Sequence, residues 1–524
     1  MKSYYKHLSS SSEFGEKQDF TRKPILRSSG IFPVIKNRDY SSRILFLGYW
    51  LIKRQIPEVS VVITLRDNIG EILLRKITLV TSVQSFSIDL DSLLKEIKYS
   101  NSEFYGSIET EFNTTRDMVF PYPALVLQYY NEEFSTCVHT IERIYNDFED
   151  LMENDELKVP ESGFDIHCNN DLDPFMAFVN GPLENNNGLV NYTVTNSKSQ
   201  KFSGSFHLGR IKPYETKFVK FRKHIPDLEM MLDYHSGSIS LNHNFEGFYP
   251  RLLVGNIQSS FPSISFTHSY YDCTSCHSET DFWNRIDSSF YDSSIYIPLF
   301  LTNGFFTDLV IYPNFSPSNF DLQIIIYDKN GNVLHNIENY TTVNSQDSKL
   351  IKINFNKIID ELKINPDLPS SAHIITNFNS KKIPTRIKFG LDVGISNLKS
   401  KLPCNICFNT KVGNPLIENK PGSFHWAPIF VNDGLITIGN FSPRKNYDQS
   451  ANIKINFYRK NDSSFISREF NLIANSEHRI KIDDELRKFL IDDGWITIKS
   501  DNPFIQGYYF KFHSSGAVAG DHFF

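Results

Sequence analysis

A run of alternating apolar and polar residues returns along this chain at an almost fixed interval, and few architectures permit that. The runs are Val61–Leu65, Asn191–Thr195, Ile324–Tyr327 and Ile455–Tyr458. Anchored on Leu65, Thr195, Tyr327 and Tyr458, they recur in steps of 130, 132 and 131 residues. Alternation with a period of two marks a strand with one face on a core. The first and third runs pass into Asp67-Asn68-Ile69-Gly70 and Asp328-Lys329-Asn330-Gly331, which read as hairpin turns.

Three further landmarks keep company with this strand. An apolar strand running into an Asn/Gly turn is read at Ile44–Gly48, Met176–Gly181, Pro298–Gly304 and Pro428–Gly434, with steps of 132, 122 and 130 between its phenylalanines Phe46, Phe178, Phe300 and Phe430. A strand leading into a short acidic helix is read at Ser87–Leu94, Phe218–Leu228, Lys352–Leu362 and Lys481–Leu486. An Asp, or Asn356 in the third copy, is placed to cap the helix start. The last landmark is an alternating strand at Gly106–Thr110, Gly237–Ser240, Ser371–Ile375 and Gly494–Ile498.

With 524 residues the chain exceeds what one core supports, since single cores stop growing near roughly 250–300 residues. Its 44 Phe and 25 Tyr suit strands, whose pleated surface packs flat, stiff side chains. The pattern predicts an all-β protein of four tandem diverged immunoglobulin-like β-sandwich repeats of about 130 residues, each with one short helix. The expected division is a polar tail over 1–30, repeats over 31–147, 165–272, 293–396 and 423–524, and connections over 148–164, 273–292 and 397–422. The first connection is acidic, and the other two contain cysteines. Each repeat is expected to own its core.

A net charge of −6 argues against a nucleic-acid partner, which would call for a basic face. No run approaches the ~20 apolar residues of a membrane span. The start, Met1 to Ser12, shows no apolar core of signal-peptide type, so a cytoplasmic protein is expected. Six cysteines do not make a disulfide scaffold.

The sharpest chemical motif is Cys273-Thr274-Ser275-Cys276-His277, the pattern of a c-type haem attachment. Haem attachment requires export to an oxidising compartment, and the sequence gives no such signal, so haem is set aside. Cys404-Asn405-Ile406-Cys407 is a second Cys-x-x-Cys pair, and two such pairs make the thiolate set that Zn²⁺ favours. With 127 residues between the pairs, they can meet only if the two connections run along one side of the molecule. His268, Asp272 and His277 would add ligands. His139, His268 and His513 recur at strand ends; they are expected to serve local loops unless the chain closes into a ring.

Aromatic pairs at Phe248-Tyr249, Tyr270-Tyr271, Phe282-Trp283 and Phe290-Tyr291 could stack on sugar rings or pack in cores. The expected function is a non-enzymatic binding or scaffolding protein without a cofactor, recognising a glycan or a protein partner. The alternative is a metal-dependent hydrolase or transferase carrying zinc near the connection between repeats 2 and 3.

Overall fold

The computed structural model describes residues 24–120, 122–139, 142–144, 161–268, 282–284, 287–313, 318–344, 349–384 and 387–524. Within them, most of the backbone forms antiparallel strands, joined by turns and a few helices of at most seven residues.

Eight of the ten sheets among the described residues form four pairs, and one strand order recurs in all four. In the segment 27–139, one sheet runs Arg27–Lys36, Phe104–Asn113, Val59–Asp67, Ile72–Val80 from edge to edge. Its companion runs Ser85–Asp89, Ser41–Leu47, Leu125–Tyr130, Ser135–His139. Numbered along the segment, the orders are 1-6-3-4 and 5-2-7-8. The segments 161–268, 293–412 and 423–522 repeat both, and Lys411–Val412 adds a short strand beside the first strand of the third segment.

The alternating strand that opened the sequence reading is strand 3 in every segment, and the acidic helix follows strand 5 in every segment. Asp67 accepts from the backbone N–H of Ile69 and Glu71, which closes the first hairpin, and Asp328 does the same for Asn330 and Asn332. Of the expected helix caps only Asp483 makes its bond, accepting from Leu486 N at 2.9 Å, whereas Asp89 and Asp227 precede their helices without a side-chain cap bond. Asn354, not Asn356, caps the third helix, accepting from Lys357 N at 2.8 Å, while Asn356 donates to the carbonyls of Leu301 and Phe305.

The first landmark needs a larger correction. Ile44–Gly48 and Met176–Gly181 lie on strand 2 and its exit. Pro298–Gly304 and Pro428–Gly434 instead bridge strand 1 and strand 2. The short step of 122 marks that slip, because two different apolar strands followed by turns look alike in sequence.

The segments close on one another head to tail. The first sheet of each packs on the 5-2-7-8 sheet of the next. Arg66 of segment 1 lies 4.2 Å over the ring of Tyr214, and Thr216 N donates to Asn68 O at 3.1 Å. Segments 2 and 3 meet at Asp165, beside the Lys352–Asp392 ion pair of 2.9 Å. Tyr296 of segment 3 stacks on Phe441 at 4.9 Å, and its hydroxyl donates to Glu477. Segment 4 then returns to segment 1, where Trp426 stacks on Tyr49 at 4.4 Å and Asp493 accepts from Arg43.

This is a closed heterologous arrangement, of the kind usually built from separate subunits, made here within one chain. Its eighth strands meet at the centre. Ser135–His139 adjoins Ser263–His268 and Val518–His522, and Cys404–Asn409 adjoins the latter two. The expectation that each repeat owns its core does not hold. One continuous cluster joins the interiors of segments 1 and 4 with residues of segment 2, and another joins segments 3 and 4.

Candidate functional site

The centre gathers buried polar side chains, among them His139, His268 and Asp521. Strands 7 and 8 form a hairpin in each segment, and the register places a histidine at corresponding ends in three of them: His139 opposite Val126, His268 opposite Leu253 and His522 opposite Tyr508. Because the eighth strands converge, these three ends come together.

His139 is buried, and its Nδ1 lies 2.9 Å from Asp521 Oδ2; its backbone N–H donates to the same oxygen at 3.0 Å. His268, 1% exposed, sets its Nε2 3.0 Å from His139 Nε2. His522 stacks edge-on against His139 with ring centroids 4.6 Å apart. Its Nδ1 lies 2.8 Å from the carbonyl of Phe523. One ligand atom each from His139, Asp521 and His522 falls within 4.8 Å of the other two.

Burial, reinforced by the charge of His139, pushes the His522 imidazole down to about 4, so it is neutral at physiological pH. Burial opposes ionisation of Asp521, but His139 and the backbone N–H of His522 outweigh it and hold the carboxyl below its usual range. The arrangement therefore sets a buried carboxylate beside neutral imidazole nitrogen.

Of the expected ligands, only His268 joins this group. Asp272, Cys273, Cys276 and His277 lie outside the described residues. Cys404 and Cys407 sit on strand Cys404–Asn409 rather than in a connection. Residues three apart on a strand point to opposite faces, so this pair cannot close on one ion as a zinc knuckle does. Cys404 Sγ reaches Gly520 O at 3.3 Å, and Cys407 faces Tyr312 on the other side. Burial pushes the Cys404 thiol well up, as it does Cys137, which leaves both poor nucleophiles and poor ligands.

The recurring histidines require a correction of their own. They do not serve only local loops, because ring closure gathers them. His139 and His268 meet directly, while His513 lies on the turn side and contacts Ser135 Oγ at 2.8 Å. The member equivalent to His139 in segment 4 is His522. Aligning whole strand 7–8 hairpins, instead of single apolar-His pairs, would have found it.

A second polar group lies between segments 2 and 3. Lys352 bridges Asp392 at 2.9 Å and Asp308 at 3.5 Å, and Asp165 pairs with His167 at 3.1 Å. Burial and the nearby Asp165 charge push Asp392 up to about 6, against the opposing pull of Lys352. Asn405 donates to Asp392 at 2.6 Å. These groups answer one another and bind the two segments.

The aromatic pairs give no sugar platform among the described side chains. Phe248, Tyr249 and Phe290 are buried. Tyr270 and Tyr271 lie outside the described residues.

No family model matches the chain, and no curated protein matches it. Among solved structures, one match is described as the "Crystal structure of tetra-tandem repeat in extending region of large adhesion protein". It is 8% identical, covers 89% of this chain and 90% of its own, and has a TM-score of 0.10. A score that low means that the two backbones do not superpose.

Proposed function

We propose that the chain is a non-enzymatic scaffold of four diverged β-sandwich units, spanning 27–139, 161–268, 293–412 and 423–522, that holds protein partners on its outer strands. The observation that carries this reading is the fate of strand 4. Ile72–Val80, Lys201–Ile211, Val333–Val343 and Phe465–Leu472 each end a sheet, pair on one side only among the described residues, and consist mostly of exposed and half-buried positions. Each leaves a row of backbone donors and acceptors open to an added strand. Ile77, Val333 and Phe465 are more than half exposed there and offer apolar anchors for its side chains.

Four such edges on one rigid ring would let weak contacts add up through effective concentration. The immunoglobulin-like character of the units belongs to the same proposal and rests on the two-sheet layout. A protein partner is favoured over a glycan because Phe248, Tyr249 and Phe290 are buried and Tyr291 is half-buried.

Native mass spectrometry of the chain with its co-purified partner tests the reading. More than one partner copy per chain is expected, with copies lost stepwise on Ile77→Asp, Val333→Asp and Phe465→Asp. A single copy unaffected by all three substitutions would overturn it.

A further inference from the structure

We infer that Lys53, Lys411, Lys420 and the indole N–H of Trp426 form a binding site for one small oxyanion of the phosphate class. The site lies where segment 1 meets the join between segments 3 and 4.

Four observations carry this. The first is placement. Lys53 ends the helix Tyr49–Lys53 of segment 1, Lys411 lies on the short strand Lys411–Val412 of segment 3, and Lys420 follows the helix Pro415–Glu418. Trp426 lies on strand Ser423–Ile429 of segment 4. Lys53 Nζ stands 4.4 Å over the Trp426 ring and 5.8 Å over that of Phe424. Lys420 is near enough for its charge to act on both Lys53 and Lys411, and Lys411 acts in turn on His425 and His522.

The second is charge. Among the described residues no Asp or Glu side chain comes within ion-pair distance of Lys53, Lys411 or Lys420. Burial, with the neighbouring charges of Arg54 and Lys420, holds the Lys53 ammonium down to about 8, so it is still charged at pH 7. Like charges gathered on a partly desolvated surface repel, and an anion among them relieves that repulsion. A phosphate group brings about two negative charges and three strong acceptor oxygens. That suits three ammonium groups and one N–H better than a carboxylate does.

The third is an unused donor. Trp426 is 7% exposed and stacks on Tyr49 and Phe524, and its Nε1 has no hydrogen-bond partner. A buried N–H left unpaired is costly and calls for an acceptor. It belongs to the ring under Lys53 Nζ, so ammonium and N–H stand within the span of one tetrahedral oxyanion.

The fourth is access. Lys53 is half-buried, whereas Lys411 and Lys420 are exposed. Lys411 meets water, yet enough protein surrounds it for desolvation to lower its ammonium. That combination describes a side chain lining a water-filled recess, which a small ion can enter.

Isothermal titration calorimetry of the full chain at pH 7 and low salt tests this, with inorganic phosphate, phenyl phosphate and acetate as probes. One phosphate per chain should bind, more weakly as salt rises. Tighter binding of phenyl phosphate would mark an ester as the ligand; tighter binding of inorganic phosphate would mark the free ion. Lys411→Gln, at an exposed side chain, and Lys53→Met, which keeps the apolar stem against Trp426, should each weaken binding about ten-fold or more. Lys488→Ala, at an exposed lysine on the helix Asp484–Leu490, should leave it unchanged. Circular dichroism of each variant would confirm folding. The proposal is overturned if neither phosphate probe binds saturably, if acetate binds as tightly as phosphate, or if folded Lys411→Gln and Lys53→Met bind phosphate like the wild type.

Discussion

Gly70 and Gly331 sit at corresponding tips of the strand 3–4 hairpins of segments 1 and 3, and both press against the next segment. Gly70 has φ +93°, and a Cβ built there would stand 2.3 Å from Pro213 O; Gly331 has φ +79°, and its Cβ would stand 2.6 Å from Ala474 O. Real side chains do not approach a backbone oxygen that closely, so the two segments would have to part. An L-residue held in the left-handed region costs roughly 1–2 kcal/mol. Overpacking a tight contact adds about 1–3 kcal/mol. Gly70→Ala and Gly331→Ala should therefore each cost about 2–5 kcal/mol. Gly209→Ala isolates the first contribution, because Gly209 has φ +70° with open space around its would-be Cβ, and it should cost only about 1–2 kcal/mol. Denaturant titrations of the three variants, compared at constant m-value, measure the difference. If Gly70→Ala costs no more than Gly209→Ala, the hairpin tip does not press on the next segment in solution.

Other consequences are as direct. Burial depresses His243, His425 and His513 to about 4 and His373 to about 3. Below pH 6.5 the unfolded chain takes up protons that the folded chain refuses, so stability falls with pH; Asp392, raised to about 6, works the other way between pH 6 and 3.8. With His522, also depressed to about 4, the balance at pH 5 is between three and four protons, or roughly 5 kcal/mol of stability lost per pH unit, and a flat stability profile between pH 6.5 and 5 would refute it. Trp426→Ala removes a ring stacked on Tyr49 and 4.4 Å from Lys53 Nζ, and should cost about 3–5 kcal/mol in denaturant unfolding. Solution scattering should give a radius of gyration of about 24–30 Å for the closed arrangement, against about 40 Å for four units in line.

The strand content and the repeat were readable because apolar alternation and turn residues are local signals. Val59–Asp67, Asn185–Asn196, Phe320–Asp328 and Ala451–Tyr458 carry them most clearly, since each is a central strand bounded by a turn. Register across copies was weaker, as Phe300 and Phe430 show: both follow strand 1, whereas Phe46 and Phe178 lie on strand 2. Strand Cys404–Asn409 was missed because its cysteines suggested a metal-binding connection, although Cys404, Ile406 and Phe408 alternate as one buried face. The central site could be read only in part: His139 and His268 stood out as strand-end histidines, but nothing local tied them to Asp521. His139 and Asp521 are 382 residues apart, and only closure of the ring makes them neighbours.

That closure is most directly tested by zero-length carbodiimide crosslinking of the intact chain. Lys399 of segment 3 and Glu133 of segment 1 form an exposed ion pair of 2.6 Å across the ring, and Lys401 of segment 3 pairs with Asp171 of segment 2 at the same distance. Mass spectrometry of the monomer fraction should recover both crosslinked peptides, with Lys399–Glu133 lost in Glu133→Gln. Recovery of Lys401–Asp171 without Lys399–Glu133 would show neighbouring segments in contact in an open chain, and would contradict the closed ring.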